Sequence, residues 1–192
     1  IHLPLLHQRT DTISRTLCNL YYYRHLWVPE LEEKPTVAMK KISIVGPEST
    51  GKTSLAQQLA QHFESDYIPE YAREYISNLD REYIEDDILD IAKKQLELQE
   101  NYSSNKHFLF LDTDLIVCKI WSLFKYGKCH PWILEQITKN NDCHYLLCNI
   151  DLPWQEDPQR EHPHQRQEIY DLYLEELQSN NYQYSIINGI RE

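Results

Sequence analysis

Gly46-Pro47-Glu48-Ser49-Thr50-Gly51-Lys52-Thr53 fits G-x-x-x-x-G-K-[ST], the pattern of a phosphate-binding loop. The residues on either side decide whether the match means anything. Lys41-Ile42-Ser43-Ile44-Val45 is short, β-branched and apolar, as a buried parallel strand should be. Ser54 to Phe63 follows, with apolar residues at 55, 56, 59, 60 and 63, which is helical spacing. The loop therefore lies between a strand and a helix N-terminus. Glycines at 46 and 51 let the backbone turn its N–H groups inward, and the helix end adds positive potential for phosphate oxygens. Lys52 has the reach for terminal phosphates, and the Thr53 hydroxyl suits a magnesium ion. The candidate nucleotide-binding residues are Gly46, Glu48, Ser49, Thr50, Gly51, Lys52, Thr53 and Ser54.

The 192 residues suffice for one α/β domain with a proper core. A net charge of −11 argues against a basic nucleic-acid-binding surface. No apolar run approaches bilayer length, and residues 1–20 are too polar for a signal peptide. Five cysteines without a C-x-x-C fit a reducing, cytoplasmic compartment better than a disulfide framework. Cys129-His130 and Cys143-His144 match no common zinc spacing.

The first Met is Met39, directly before the strand of the phosphate loop. The sequence reads as a phosphate-loop domain over 39–192 preceded by an extension over 1–38. That extension is non-native or translated upstream sequence, the tail of a preceding segment, or a helical arm packing through Leu17, Leu20 and Tyr21. Its charged residues cancel, so the net negative charge belongs to 39–192.

Asp66-Tyr67-Ile68 is a second strand, followed by Pro69-Glu70-Tyr71-Ala72-Arg73, with Pro69 in the first turn of a helix. Glu70 then stands at a strand's carboxyl end, where open α/β sheets bind ligands, and Arg73 lies on the same helix face. A plain surface ion pair is the alternative. Residues 81–104 read as a long helix whose apolar face runs through Ile84, Ile88, Ile91, Ala92, Gln95, Leu96 and Leu98. Phe108-Leu109-Phe110-Leu111-Asp112 is a buried strand ending in an acid, the Walker B arrangement in which Asp112 holds the metal; Asp114, two residues on, should face the same cleft. A fourth strand over 144–150 leads into the polar, proline-broken segment 151–166. Its arginines, Arg160 and Arg166, suit a lid that closes on a transferring phosphate. A helix over 165–178 and a strand over 182–188 end the pattern, after which a closing helix is expected. Five strands alternating with helices predict a three-layer sandwich around a five-stranded parallel sheet.

GPESTGKT, PEYARE, FLFLDTD and IDLPWQEDPQREHPHQR, in that order, resemble the ribosylnicotinamide kinase domain of NadR-type NAD-biosynthesis proteins, within the wider AAA-type ATPase-like P-loop kinases. The resemblance covers 39–188. It implies transfer of the ATP γ-phosphate to the 5′-hydroxyl of nicotinamide riboside, with Mg²⁺ held at Thr53 and Asp112. It implies catalytic roles for Lys52, Glu70, Asp112, Arg160 and Arg166, and substrate contacts from Glu70, Arg73 and Asp114. Two stacking aromatics of the family are replaced here by Pro69 and Leu96. Trp154, Tyr71 and Trp121 are the aromatic residues available to take their place, Trp154 being the substrate-binding candidate. The alternatives are a kinase for another nucleoside or small metabolite, and a regulatory ATPase without a small acceptor.

Overall fold

The structure is a computed structural model, and it describes residues 39–140 and 142–189. The expectations for residues 1–38 and for a closing helix after 189 fall outside those residues. The chain runs β1 (Lys40–Val45), α1 (Lys52–His62), β2 (Asp66–Ile68), α2 (Tyr71–Ser77), α3 (Glu85–Glu100), β3 (Phe108–Asp112), α4 (Leu115–Tyr126), α5 (Pro131–Lys139), β4 (Cys143–Cys148), α6 (Arg166–Ser179) and β5 (Gln183–Ile187). The five strands form one sheet in the order β2-β3-β1-β4-β5, and every pairing is parallel. The expected α/β sandwich is the observed fold.

Alternation along the strands explains the layers. Val45, Leu109, Leu111, Tyr145 and Leu147 join a buried cluster with side chains of α3, α4, α5 and α6. The intervening residues Ile42, Ile44, Phe110 and Leu146 are buried as well. On their side Phe63, just past α1, packs its ring on Phe110 with centroids 5.9 Å apart. A sheet covered on both faces reads as nearly continuous apolar strands, as these do.

Some boundaries differ from the sequence reading. The long helix begins at Glu85 rather than 81, because Asp87 turns its carboxylate back to accept from the Ile84 N–H at 2.7 Å and from both ends of the Arg81 guanidinium. It stops at Glu100, where the polar run 101–106 begins. Pro69 precedes α2 rather than opening it; Glu70 is the N-cap, with φ −66° and ψ 109°. The sheet order matters most for function. β1 leads one way to β3 and β2 and the other way to β4 and β5, and ligands bind outside the carboxyl ends of strands at such a switch point. Among the described residues no helix is long and apolar enough to cross a membrane.

Candidate functional site

The phosphate loop leaves β1 at the centre of the sheet. Gly46 has φ +136°, and a Cβ there would lie 2.8 Å from the Cys148 carbonyl oxygen at the end of β4, so only glycine fits. Ser49 and Gly51 also take positive φ, 56° and 81°, and successive turns of this kind shape an anion-binding concavity. The Pro47 carbonyl accepts from the Thr50 hydroxyl and from Lys52 Nζ, each at 2.8 Å, which fixes the loop's curvature. No side chain caps α1, so the first-turn amides of Lys52, Thr53 and Ser54 are left for a ligand.

Beside this loop the parallel register sets Asp112 opposite Ile44. Asp112 is 1% exposed, and its Oδ1 has no hydrogen-bond partner. Burial raises its pKa, while the Thr53 hydroxyl and the Lys52 ammonium beside it pull the other way. A buried carboxylate oxygen with nothing to bind, next to a threonine hydroxyl, suits Mg²⁺, which takes one or two protein ligands and completes its shell with phosphate and water. Among the described residues no group of three or more His, Cys, Asp or Glu is placed to hold a metal, and Cys118, Cys129, Cys143 and Cys148 are free thiols.

Glu70 joins this group. Burial raises its pKa; Lys52 opposes that, and the Asp112 carboxylate adds to it. The predicted pairing with Arg73 is loose, 3.8 Å from Nε to Oε2. The tighter partner of Arg73 is Asp157, at 2.8 Å, so Arg73 ties α2 to the segment after β4.

That segment, 151–165, has no regular structure and lies across the loop at several points. Glu48 accepts from the backbone N–H groups of Glu161, at 3.2 Å to each oxygen, and of His162, at 3.0 Å. Ser49 Oγ accepts from Gln155 N at 3.2 Å, and Arg166 donates to the carbonyls of Ser49 and Leu152. Gln159 donates to Ser77 Oγ at 2.8 Å. Farther along, Glu161 accepts from the Tyr83 hydroxyl at 2.7 Å and pairs with Lys125 at 3.2 Å, and His162 packs edge-on against Phe124. Arg160 donates to the Gln155 carbonyl at 2.6 Å, between these anchors, and burial lowers the pKa of Arg166, whose Nε is buried without a partner. The Trp154 indole N–H is likewise buried without a partner.

One expectation is corrected. Asp114 does not face the cleft. Thr113, with φ +103°, ends the strand's alternation, and Asp114 becomes the N-cap of α4, accepting from Ile116 N at 2.9 Å. It is 5% exposed and lies beside the Ser43 and Tyr145 hydroxyls on the sheet's face; burial pushes its carboxyl up to about 6. Of the candidate aromatics, Trp121 donates its indole N–H to the Tyr83 hydroxyl, and Tyr71 packs on Tyr75. Leu96 is in the core.

Sequence reasoning missed Gln95, fully buried in α3, and Tyr83. The signal for Gln95 was present: an amide on an otherwise apolar helix face.

A phosphate loop after the central strand, with an acid at the end of its parallel neighbour, defines a P-loop NTPase fold. The chain belongs to the AAA domain family, whose profile matches residues 41–192. It is 26% identical over 155 residues to the trifunctional NAD biosynthesis/regulator protein NadR of Escherichia coli (strain K12), an alignment covering 76% of this chain. The chain spans 37% of that relative's length. The crystal structure of NadR protein in complex with NR has a similar fold, with TM-score 0.66 and 22% identity, over 77% of this chain and 43% of that one. Thymidylate kinase from Ehrlichia chaffeensis is similar at TM-score 0.54 and 13% identity, over 80% of this chain and 89% of that one. The fold is thus that of P-loop kinases, and the NadR-type resemblance of the motifs holds.

Proposed function

We propose that the chain is a cytoplasmic ATP-dependent kinase that phosphorylates the 5′-hydroxyl of nicotinamide riboside, giving nicotinamide mononucleotide. The observation that carries the reading is the convergence of Lys52, Thr53, Asp112 and Glu70 at the carboxyl ends of β1, β2 and β3, under a segment that bears Arg160 and runs into Arg166 at the start of α6. The loop amides and Lys52 bind the terminal phosphates and neutralise the charge that grows on them. Thr53 and Asp112 would hold Mg²⁺, which supplies further neutralisation of the phosphates. The Glu70/Asp112 pair takes the proton from the acceptor hydroxyl; its oxygen forms the new bond to the γ-phosphorus as the bond to the β–γ bridging oxygen breaks and ADP leaves. Arg160 sits on the segment that excludes water, and Arg166 stands where that segment enters α6. Arg73 orients that segment through Asp157, and Trp154 offers an indole for the base.

One observation favours a second acceptor class. The two positions at which the family stacks the nicotinamide are Pro69 and core Leu96, so another nucleoside is the competing substrate. ADP release measured with nicotinamide riboside, thymidine, deoxyadenosine and no acceptor separates these readings. The riboside should give the highest kcat/KM. A higher value for another nucleoside overturns the acceptor assignment, and equal release without acceptor makes the protein an ATPase.

A further inference from the structure

The geometry points to Gln95 as a positioning residue that holds the Glu70 and Asp112 carboxylates at their working separation. This rests on the kinase reading for its kinetic consequence, though not for its structural one. The Gln95 side chain is fully buried in the middle of α3. Its Oε1 accepts from the backbone N–H of Tyr71 at 2.9 Å, and its Nε2 donates to the Pro69 carbonyl at 3.2 Å. Those residues flank Glu70 on both sides. The same Nε2 lies 3.4 Å from the carbonyl of Thr113, the residue after Asp112. One amide therefore ties the turn carrying Glu70 to the turn carrying Asp112.

The residue type follows from the partners. One N–H and two carbonyls converge on the site, and a primary amide offers one acceptor and two donor hydrogens. Glutamate would present oxygen to both carbonyls, and leucine would remove this bond from all three backbone groups. Both turns need outside support. Thr113 holds φ +103°, a conformation that persists only where its surroundings impose it. Glu70 has extended backbone angles and makes no side-chain capping bond to α2. The two turns come from different strands, β2 and β3, whose register ends at Ile68 opposite Leu111. Beyond that point the ladder no longer sets their spacing, and the Gln95 amide takes over.

A brace of this kind acts on geometry rather than on phosphate binding, because no Gln95 contact reaches the phosphate loop. Gln95→Leu should lower kcat by about 100-fold, the cost expected when reacting groups shift by about 1 Å. The Kd for Mg·ATP should stay within about threefold. Gln95→Glu, the isosteric variant, should lower kcat by at least about 10-fold. The crystal structure of the Gln95→Leu variant gives a readout that needs no turnover: the Glu70 and Asp112 carboxyl groups should stand farther apart than in the wild type. Amide exchange in the wild-type protein completes the test, with the Tyr71 N–H protected far beyond an exposed helix-start amide. A folded variant with kcat within twofold of wild type and an unchanged Glu70–Asp112 separation overturns the proposal, even with a lowered melting temperature. Rapid wild-type exchange at Tyr71 overturns it where neither variant folds. If the wild type turns over no acceptor, the kinase reading fails, and the separation and exchange results still decide the brace.

Discussion

Replacing Glu48 with alanine should loosen the segment over the phosphate loop while leaving the loop itself intact. Glu48 belongs to the phosphate loop, yet its carboxylate is engaged by two backbone amides of the far segment, those of Glu161 and His162. A hydrogen bond to a charged group contributes about 1.5–3 kcal/mol when buried. Glu48 is half-buried, so about 1 kcal/mol for each amide is the better figure. The loss of about 2 kcal/mol lowers the closed-to-open ratio about 30-fold. Total release is not expected, because Ser49 still holds Gln155, Arg73 holds Asp157, and Tyr83 and Lys125 hold Glu161. Glu48→Gln retains one acceptor oxygen and should lose about half as much free energy. Hydrogen exchange resolved at residues 155–165 is the assay, with kcat/KM for the acceptor as its functional companion. Protection at Glu161 and His162 should fall by up to about 30-fold, and kcat/KM should fall with it. Protection within about twofold of wild type in the alanine variant would refute the reasoning, since those amides would then owe nothing to Glu48.

Gly46→Ala should abolish nucleotide binding and lower the melting temperature, because its Cβ would lie 2.8 Å from the Cys148 carbonyl at φ +136°; calorimetry with and without Mg·ATP reads both effects. Asp114→Asn keeps an N-cap acceptor but removes a buried charge. With its carboxyl pushed up to about 6, Asp114 favours the fold fully only below the usual carboxylate range, about 4, and that contribution is lost as pH rises through about 6. The asparagine variant should therefore gain on wild type as pH rises from 4.5 to 7.5, by at most about 3 kcal/mol; a gap independent of pH contradicts this. Burial raises the pKa of Glu70, Lys52 opposes that, and the neighbouring Asp112 carboxylate adds to the rise. A proton acceptor must be ionised, so kcat should fall with decreasing pH at values above the ordinary carboxylate range, with an apparent pKa that belongs to the pair.

What could be read from the sequence follows physical range. The phosphate loop and the acid ending β3 depend on short stretches whose chemistry is local, and both stand where their flanks place them. Short strand-length runs, also local, identified all five strands. The reading failed where a backbone angle broke the pattern: counting two residues on from Asp112 assumes a continuing strand, and Thr113 at φ +103° ends it, turning Asp114 to cap α4. It also failed for contacts made across long separations. Nothing near Glu48 announces that Glu161 and His162 will be its partners, more than a hundred residues away. Gln95 was visible as an anomaly on an apolar face, but its meaning depends on Pro69, Tyr71 and Thr113, which only the packed structure brings together.

The most direct measurement follows the phosphoryl group itself. Phosphorus-31 spectra of a mixture of protein, Mg·ATP and nicotinamide riboside should show the γ-phosphate signal giving way to a 5′-phosphomonoester in step with ADP, with both signals absent in Lys52→Ala. Inorganic phosphate as the sole product, or a phosphomonoester that still forms in Lys52→Ala, would contradict the account.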